Sequence, residues 1–600
     1  MNNVKAFRLY NFMAFQDSGW IEFNAISLLF GRNSSGKSVI IRALRLLKQS
    51  LERSEPGQAL VLSSEDGIRL GAFNTILHNG GKTNQPRNIF DPNWLAAQVI
   101  TFQFRCMVDN SVLEPLVDRI NRLLRQRPTP EIPFIGANRF VDLSLQFAYE
   151  HDAGTTESTR IQLVGVHLDC DWSDLVDSGT SNIISAVRLP NYDDIDGLES
   201  VLYSGKLEQS QQEEAKPIRQ GTLRWSTQWV WESDLELSQP APNDERTWDM
   251  VTVTLPSGFL PDFQYKEKPH KHDSSDPHSN DFDLFGFILK DATDSTSEFL
   301  RSIQHLGPLR PEPQREYIFT AKSIARWRRQ GLSAMVEFLR TAPTGKKRSE
   351  AALQVSFDEI GNEDSEYALE TTIKTKREMT VKGQEQREQV KNALDHWLQV
   401  LELGSSYRLR RQLLFEDEGF IASLDIADKT GRFDNISDVG SGVSQVLPIV
   451  ITSLNASPNA LIIIEQPELH LHPRAQASLA DLFIEAQKPD LSGKTKKESN
   501  RFLIETHSEH ILLRLRRRIA ESTINEISPN DNLYIQQNDV QAIFIDRSLQ
   551  GVSTAESINI NEFGEMASPV NFKGFFADDA REIAKLTAAR LKGQMKEVGT

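Results

Sequence analysis

Gly31-Arg32-Asn33-Ser34-Ser35-Gly36-Lys37-Ser38 is the stretch on which the fold turns. Ahead of it the chain runs apolar from Ala25 to Phe30, and behind it Val39 to Leu51 places Ile40, Ile41, Leu44 and Leu47 at helical spacing. A buried strand, a glycine loop and a helix follow one another without a gap. The pattern G-x-x-x-x-G-K-[ST] in that setting cradles phosphate. Its glycines let the backbone curl so that N–H groups face an anion at a helix N-terminus, where the helix dipole adds attraction. Asn33, Ser34, Ser35 and Gly36 supply the cradle, Lys37 a point charge for the β- and γ-phosphates, and Ser38 a hydroxyl for Mg²⁺. The implied cofactors are ATP and Mg²⁺.

Upstream, Val4 to Phe12 alternates apolar and polar residues, and Trp20 to Phe23 repeats a strand signal. A comparable block begins near Ile436. A glycine and serine turn there precedes the apolar helix Val443 to Leu454, and Ala460 to Ile464 reads as a strand buried on both faces. A helix from about Arg474 to Gln487 and a buried strand at Phe502 to Glu505 complete the pattern. The expected class is α/β, with a split P-loop core of mixed sheet and helices and a large inserted β-rich and helical region.

The expected units are residues 1–90 and 411–530 for the two halves of the core, 91–300 for a largely β insertion, 301–410 for a helical region and 531–600 for an accessory segment. Strands are expected at Val99 to Met107, Val141 to Tyr149, Arg160 to Leu168 and Met250 to Leu255, and helices at Ser297 to His305, Ile324 to Thr341 and Glu388 to Leu403. No heptad run is long enough for a coiled-coil arm.

Composition bounds the function. Of 600 residues, 39% are hydrophobic and 25% charged, which fits globular domains, more than one at this length. No stretch reaches the length of a membrane span, and the N-terminus lacks the pattern of a secretory signal, so a cytoplasmic protein is expected. Cys106 and Cys170 read as buried reduced thiols. A net charge of -16 opposes coating of DNA, although a local basic groove remains compatible with it. Arg326, Arg328 and Arg329, Arg408, Arg410 and Arg411, and Arg514, Arg516, Arg517 and Arg518 read as solvated faces or ion pairs. His270, His272 and His278 lie in a polar stretch that reads as a loop tip rather than a metal site.

A loop of this kind needs an acid at the end of a second buried strand to hold the metal through its water shell, and Glu465 closes Ile462-Ile463-Ile464. Next stands Gln466, whose amide cannot take a proton as a carboxylate can. Three readings stay open: Glu468 activates water, with a structural ion pair as its competing role; Gln466 merely orients water; or hydrolysis is slow and the ATP state persists. His507, just beyond a buried strand, is placed to contact the γ-phosphate. Ser441, Gly442 and Gln445 open a helix with exposed N–H groups, a second anion site that one nucleotide cannot share within a monomer. A dimer sandwiching two nucleotides resolves this.

In order, Gly31 to Ser38, Asp438-Val439-Gly440-Ser441-Gly442-Val443-Ser444-Gln445, Ile464-Glu465-Gln466-Pro467-Glu468-Leu469-His470-Leu471-His472-Pro473 and Glu505-Thr506-His507-Ser508-Glu509-His510 resemble the OLD-like ABC-type ATPases related to SMC and RecF proteins. His305-Leu306-Gly307-Pro308-Leu309-Arg310 also looks like one of their segments. The chain is most similar to stand-alone bacterial members, a group like the ATPase of Septu-type phage defence. That resemblance implies a head-to-head homodimer or higher oligomer. Gly31 to Ser38 would be the Walker A loop, Ser441 to Gln445 the signature, Glu465 the Walker B acid, His507 the switch histidine and His470 to Pro473 the D-loop. It departs from the family at the signature and at Gln466, and no Q-loop glutamine is assigned. The residues after His510 hold no Glu plus Asp-x-Asp set of a Toprim nuclease, so cleavage is expected from a separate effector protein. A RecF-like clamp on DNA, and an ATP-binding switch with little hydrolysis, are the competing functions.

Overall fold

A computed structural model of the chain describes residues 3–53, 59–64, 67–81, 99–108, 139–150, 160–170, 182–189, 224–231, 260, 281–310, 312–319, 338–339, 391–413, 420–488 and 499–566. In chain order come strands Val4–Phe12 (β1), Phe15–Asp17 (β2), Ile21–Glu22 (β3) and Ile26–Gly31 (β4), helix Lys37–Arg53 (α1), strands Ile100–Val108 (β5), Arg139–Glu150 (β6), Arg160–Cys170 (β7), Asn182–Leu189 (β8) and Arg224–Trp231 (β9), and helix Asp281–Ser302 (α2). Strands Gln304–Leu306 (β10), Tyr317–Phe319 (β11), Ser406–Leu413 (β12), Phe420–Ala427 (β13) and Phe433–Asn435 (β14) follow, then helix Ser441–Asn455 (α3), strand Leu461–Glu465 (β15), helix Pro473–Ala486 (α4), strand Arg501–Glu505 (β16), helix Glu509–Thr523 (α5) and strands Val540–Arg547 (β17) and Ser553–Ile558 (β18).

The central sheet runs β10-β15-β16-β4-β17-β18. Its first five strands are parallel, and β18 closes the edge antiparallel to β17. Parallel strands are covered on both faces, which is why β4, β15 and β16 are nearly pure apolar runs. Alternate side chains feed two cores. Leu29, Leu461, Ile463, Leu503, Ile543 and Ile545 pack with α1 on one side. Ile26, Leu28, Phe30, Ile462, Ile464 and Ile504 pack with α3, α4 and α5 on the other.

A second, antiparallel sheet has the order β2-β1-β5-β6-β7, with β3 beside β1. Its inner face joins the core on the α1 side through Phe7, Phe102, Phe104 and Phe147, and Phe299 of α2 closes over Phe104 and Phe23. A four-stranded sheet, β11-β13-β12 with β14 on β13, lies in the opposite core.

Several expected boundaries move. β1 belongs to the antiparallel sheet, paired with β5, so the β-rich strands after residue 91 extend a sheet begun at the N-terminus. β17 lies directly beside β4, so the central sheet runs past residue 531 into the segment expected to be accessory. Residues 301–410 contribute β10, β11 and part of β12 as well as helix 391–400. The strand expected at Met250 to Leu255, most of the helix Ile324 to Thr341, the arginines around Trp327 and the three histidines from His270 lie outside the described residues.

Candidate nucleotide site

The loop leaves the carboxyl end of β4 and enters α1. At Gly31, φ is +149°, and a Cβ there would collide with the Ile545 carbonyl of β17 and lie 2.7 Å from Ser35 Oγ. Only glycine fits. Ser34 (φ 62°) and Gly36 (φ 114°) curl the chain through the left-handed region, the geometry in which successive N–H groups converge on a concave side. Ser553, at the start of β18, donates its hydroxyl to the Ser35 carbonyl at 2.6 Å and its N–H to the Ala14 carbonyl at 2.8 Å. The loop is therefore braced from behind. Ser35 Oγ is buried with no hydrogen-bond partner among the described residues.

Lys37 is 4% exposed, and its Nζ donates to the Gly31 and Arg32 carbonyls at 2.8 and 2.9 Å. Burial pulls its pKa below the ordinary lysine value, against the opposing charges of Glu505 and Glu468. Ser38 does not meet Glu465. Its hydroxyl donates to the carboxylate of Glu505, at 2.9 and 3.2 Å to the two oxygens.

Strand order explains this. β16 lies between β15 and β4, and Glu465 and Glu505 are register partners at the carboxyl ends of their strands. Glu505 also pairs with Leu29 of the loop-bearing strand. Burial and the neighbouring Glu465 raise the pKa of Glu505, offset in part by Ser38 and Lys37. Glu465 is engaged on its other side, where His305 Nε2 of β10 lies 2.6 Å from Oε1. Burial holds His305 below the usual histidine pKa despite that carboxylate.

The residues beyond β15 form a brace. Glu468 accepts from the Thr506 hydroxyl at 2.8 Å and the His507 N–H at 2.7 Å, so both of its oxygens position the segment carrying His507. The hydrogen bonds of Glu468 thus go to Thr506 and His507, while the Arg310 guanidinium acts on it through its charge. Ser508 caps α5, accepting from the Ile511 N–H, and donates to Gln476 of α4 at 2.7 Å. Burial first, then Lys37, lowers the His507 pKa, which leaves a neutral imidazole at pH 7. Gln466 stands at φ +46°, with its N–H held by the Glu505 carbonyl at 2.7 Å.

Ser441 and Gly442 start α3 behind Gly440, which provides no side-chain cap. A Cβ on Gly442 would lie 3.4 Å from the His470 carbonyl, so the segments expected as signature and D-loop adjoin within one chain. Gln445 ties α3 to the site. Its side-chain amide brackets the backbone of Arg310, accepting from the N–H at 3.4 Å and donating to the carbonyl at 3.3 Å, while Arg310 Nη2 donates to the Glu465 carbonyl at 2.9 Å. Arg310 is 5% exposed, and burial lowers its pKa to about 10.

Sequence reading missed Glu505, His305 and Arg310 as members of the site. For Glu505 a signal existed, because two apolar strands each end in Glu, at Ile464-Glu465 and Ile504-Glu505. The basic residues Arg408, Arg410, Arg514 and Arg518 are taken by Asp425 and Asp481. Among the described residues no cluster of three or more His, Cys, Asp or Glu forms a free-standing metal centre. Ser38 and Glu505 instead fit a magnesium ion delivered with a nucleotide, which takes one or two protein oxygens and keeps waters and phosphate oxygens as its other ligands.

Residues 342–512 match the family model described as AAA ATPase domain. That segment contains α3, β15, α4 and β16 but not Gly31 to Ser38. Among solved structures, an Smc head bound to the C-winged helix domain of ScpA aligns at 11% identity over 93% of this chain and 98% of that one, with a TM-score of 0.35. A Pyrococcus furiosus Smc head domain with an extended coiled coil, bound to the C-terminal domain of ScpA, aligns at 11% identity over 93% and 96%, with a TM-score of 0.33. The Thermotoga maritima SMC head domain aligns at 9% identity over 92% and 98%, with a TM-score of 0.31. No curated protein matches the chain significantly. Among the described residues no helix is long and apolar enough to cross a membrane.

Proposed function

We propose that the chain is an ABC-type ATPase that holds Mg·ATP on Gly31 to Ser38 and closes on it as a head-to-head pair, Ser441, Gly442 and Gln445 of one copy facing the nucleotide of the other. The observation that carries this reading is the convergence of Lys37 and Ser38 with Glu505, Glu468 and His507 at the ends of adjacent parallel strands. Bound there, magnesium neutralises charge on the phosphates. The loop N–H groups and Lys37 orient the triphosphate, and the neutral imidazole of His507 offers a hydrogen bond to its γ-oxygen. From the resemblance of its motifs to the Septu-type ATPase, the cycle is read as driving a separate nuclease in anti-phage defence.

One observation favours a slow cycle: both oxygens of Glu468 are committed to Thr506 and His507. By the resemblance of the motifs, Gln466 stands where the catalytic acid would be, and an amide is no base. On this second reading the chain is an ATP-binding switch with little hydrolysis, whose ATP-bound closed pair persists.

Calorimetric titration of ATP tests the site. Lys37→Ala removes the loop's one aimed charge and should weaken binding at least about a hundredfold; unchanged affinity in a folded variant would sink the assignment. Multiple-turnover assays separate the two readings: sustained turnover by wild type supports the ATPase, whereas near-absent turnover that Gln466→Glu speeds supports the switch.

A further inference from the structure

We propose that Leu309 and Leu549 are the apolar anchors of the closed pair, Leu309 of one copy seating against the partner's Leu549 and the reverse across the two-fold axis. The inference rests on the proposed head-to-head pair and assigns contacts within it. Seven large apolar side chains stand exposed among the described residues, and Leu309, at 90%, and Leu549, wholly in solvent, are the most exposed of them. A single leucine in water is ordinary. These two differ in where they stand and in how firmly they are held.

β10 runs parallel to β15, so the chain that continues to Leu309 leaves at the carboxyl ends of the central strands. β17 runs parallel to β4 with Ile545 opposite Gly31, so the turn that carries Leu549 rises past the glycine loop at the same end. The two leucines therefore crown one edge of the sheet, four strands apart. Neither is a loose tip. Next to Leu309, Gln445 brackets the Arg310 backbone and the Arg310 guanidinium donates to the Glu465 carbonyl. Under Leu549, the Gly551 N–H donates to the Ser548 carbonyl and the Ser548 N–H to the Val552 carbonyl, each at 2.9 Å, and Arg547 Nε donates to the Gly551 carbonyl at 2.9 Å. A side chain on a fixed backbone loses little freedom when it docks.

Placement points to a second copy of this chain as the occupant. Leu309 is tied through Gln445 to the start of α3, and the hairpin of Leu549 abuts the glycine loop, where Ser553 donates to the Ser35 carbonyl. Contacts across a two-fold axis are reciprocal, so each surface meets its complement twice. A pair that sets the start of α3 over the partner's glycine loop sets the neighbour of the one over the neighbour of the other. Closure then takes both leucines of each copy out of water.

The test uses the full chain carrying Cys170→Ser, Cys106 being buried, with Mg²⁺ and a slowly hydrolysed ATP analogue. Leu309→Cys and Leu549→Cys chains are mixed and treated with a short bismaleimide. A cross-link between the two variants should form with the analogue and not without it, and neither variant should cross-link to itself. In sedimentation velocity, Leu309→Ala and Leu549→Ala should each weaken the analogue-dependent association about tenfold or more, since a pair loses the side chain from both copies. The double variant should lose less than the product of the two single losses, the mark of residues that touch. Absence of the mixed cross-link, a self cross-link, or wild-type association in the alanine variants overturns this inference while the pair itself stands. If wild type binds the analogue in calorimetry yet shows no association with it, the head-to-head reading falls and this inference with it.

Discussion

The central sheet and the antiparallel sheet share one core yet spend their polar residues differently. In β15 and β16 every residue before the last is apolar or buried, and the polar groups appear together at the carboxyl ends, where Glu465 and Glu505 meet the loop. In β5 burial alternates residue by residue, so Phe102 and Phe104 face inward while Gln103 and Arg105 face out. The outer face of that sheet is a lattice of pairs: Arg8 with Asp17, Arg105 with Asp142, and both arginines over Trp20. A sheet covered on both faces concentrates chemistry at one edge. A sheet with one open face spreads its polar groups along its length, where each contributes little.

The largest effect expected from this contrast lies in the shared core. Phe102 is fully buried and touches Phe7, Phe12 and Phe147, so Phe102→Ala should destabilise the chain by about 3–5 kcal/mol. Urea unfolding measures this, and a loss below about 1 kcal/mol would show that the antiparallel sheet is not packed as described.

Acid should separate the two regions. His305 and His507 have folded pKa values below 6.5, so the unfolded chain binds more protons there and their contribution to stability falls as pH drops through 6.5. The raised Glu505 acts in the opposite sense, its contribution growing as pH falls through its folded pKa. In the antiparallel sheet burial would raise Asp17, but the bonds from Arg8 and Gly19 outweigh it and lower its pKa, so its contribution persists until pH falls below 3.8. Between pH 7 and 5.5, amide protection factors, taken relative to the intrinsic exchange rate at each pH, should fall more in β15 than in β5, and His305→Gln should flatten the difference. An equal fall in both sheets would contradict the assignment. The smallest effect belongs to the open face: Arg105→Ala removes a half-exposed pair and should cost under about 1 kcal/mol. A several-fold larger value in the same urea assay would mean that face is covered.

Much of the central sheet was legible from sequence, because covered parallel strands leave unbroken apolar runs and the loop between β4 and α1 carries its own signature. The runs ending at Ile464 and Ile504 were visible for that reason. What the runs do not carry is their order. Nothing local to Ile504-Glu505 says that this strand, and not Ile464-Glu465, lies against β4, so the contact of Glu505 with Ser38 could not be read from it. The N-terminal strand shows the same limit. Its alternation marks a one-faced sheet, but its partner, β5, is about ninety residues distant. The fold of the Glu468 carboxylate onto Thr506 and His507 was equally hidden, since it joins two loops whose meeting depends on the β15–β16 pairing.

The place of β4 in its sheet also sets a timetable for synthesis. Its two neighbours, β16 and β17, and the serine that steadies the loop from β18, are all translated after residue 500. At roughly 5–20 residues per second, on the order of 25–100 s pass between the emergence of the loop and the arrival of the strands that flank it. Through that interval both edges of a largely apolar strand stand open on the ribosome, a template for wrong pairing and a ready target for chaperones.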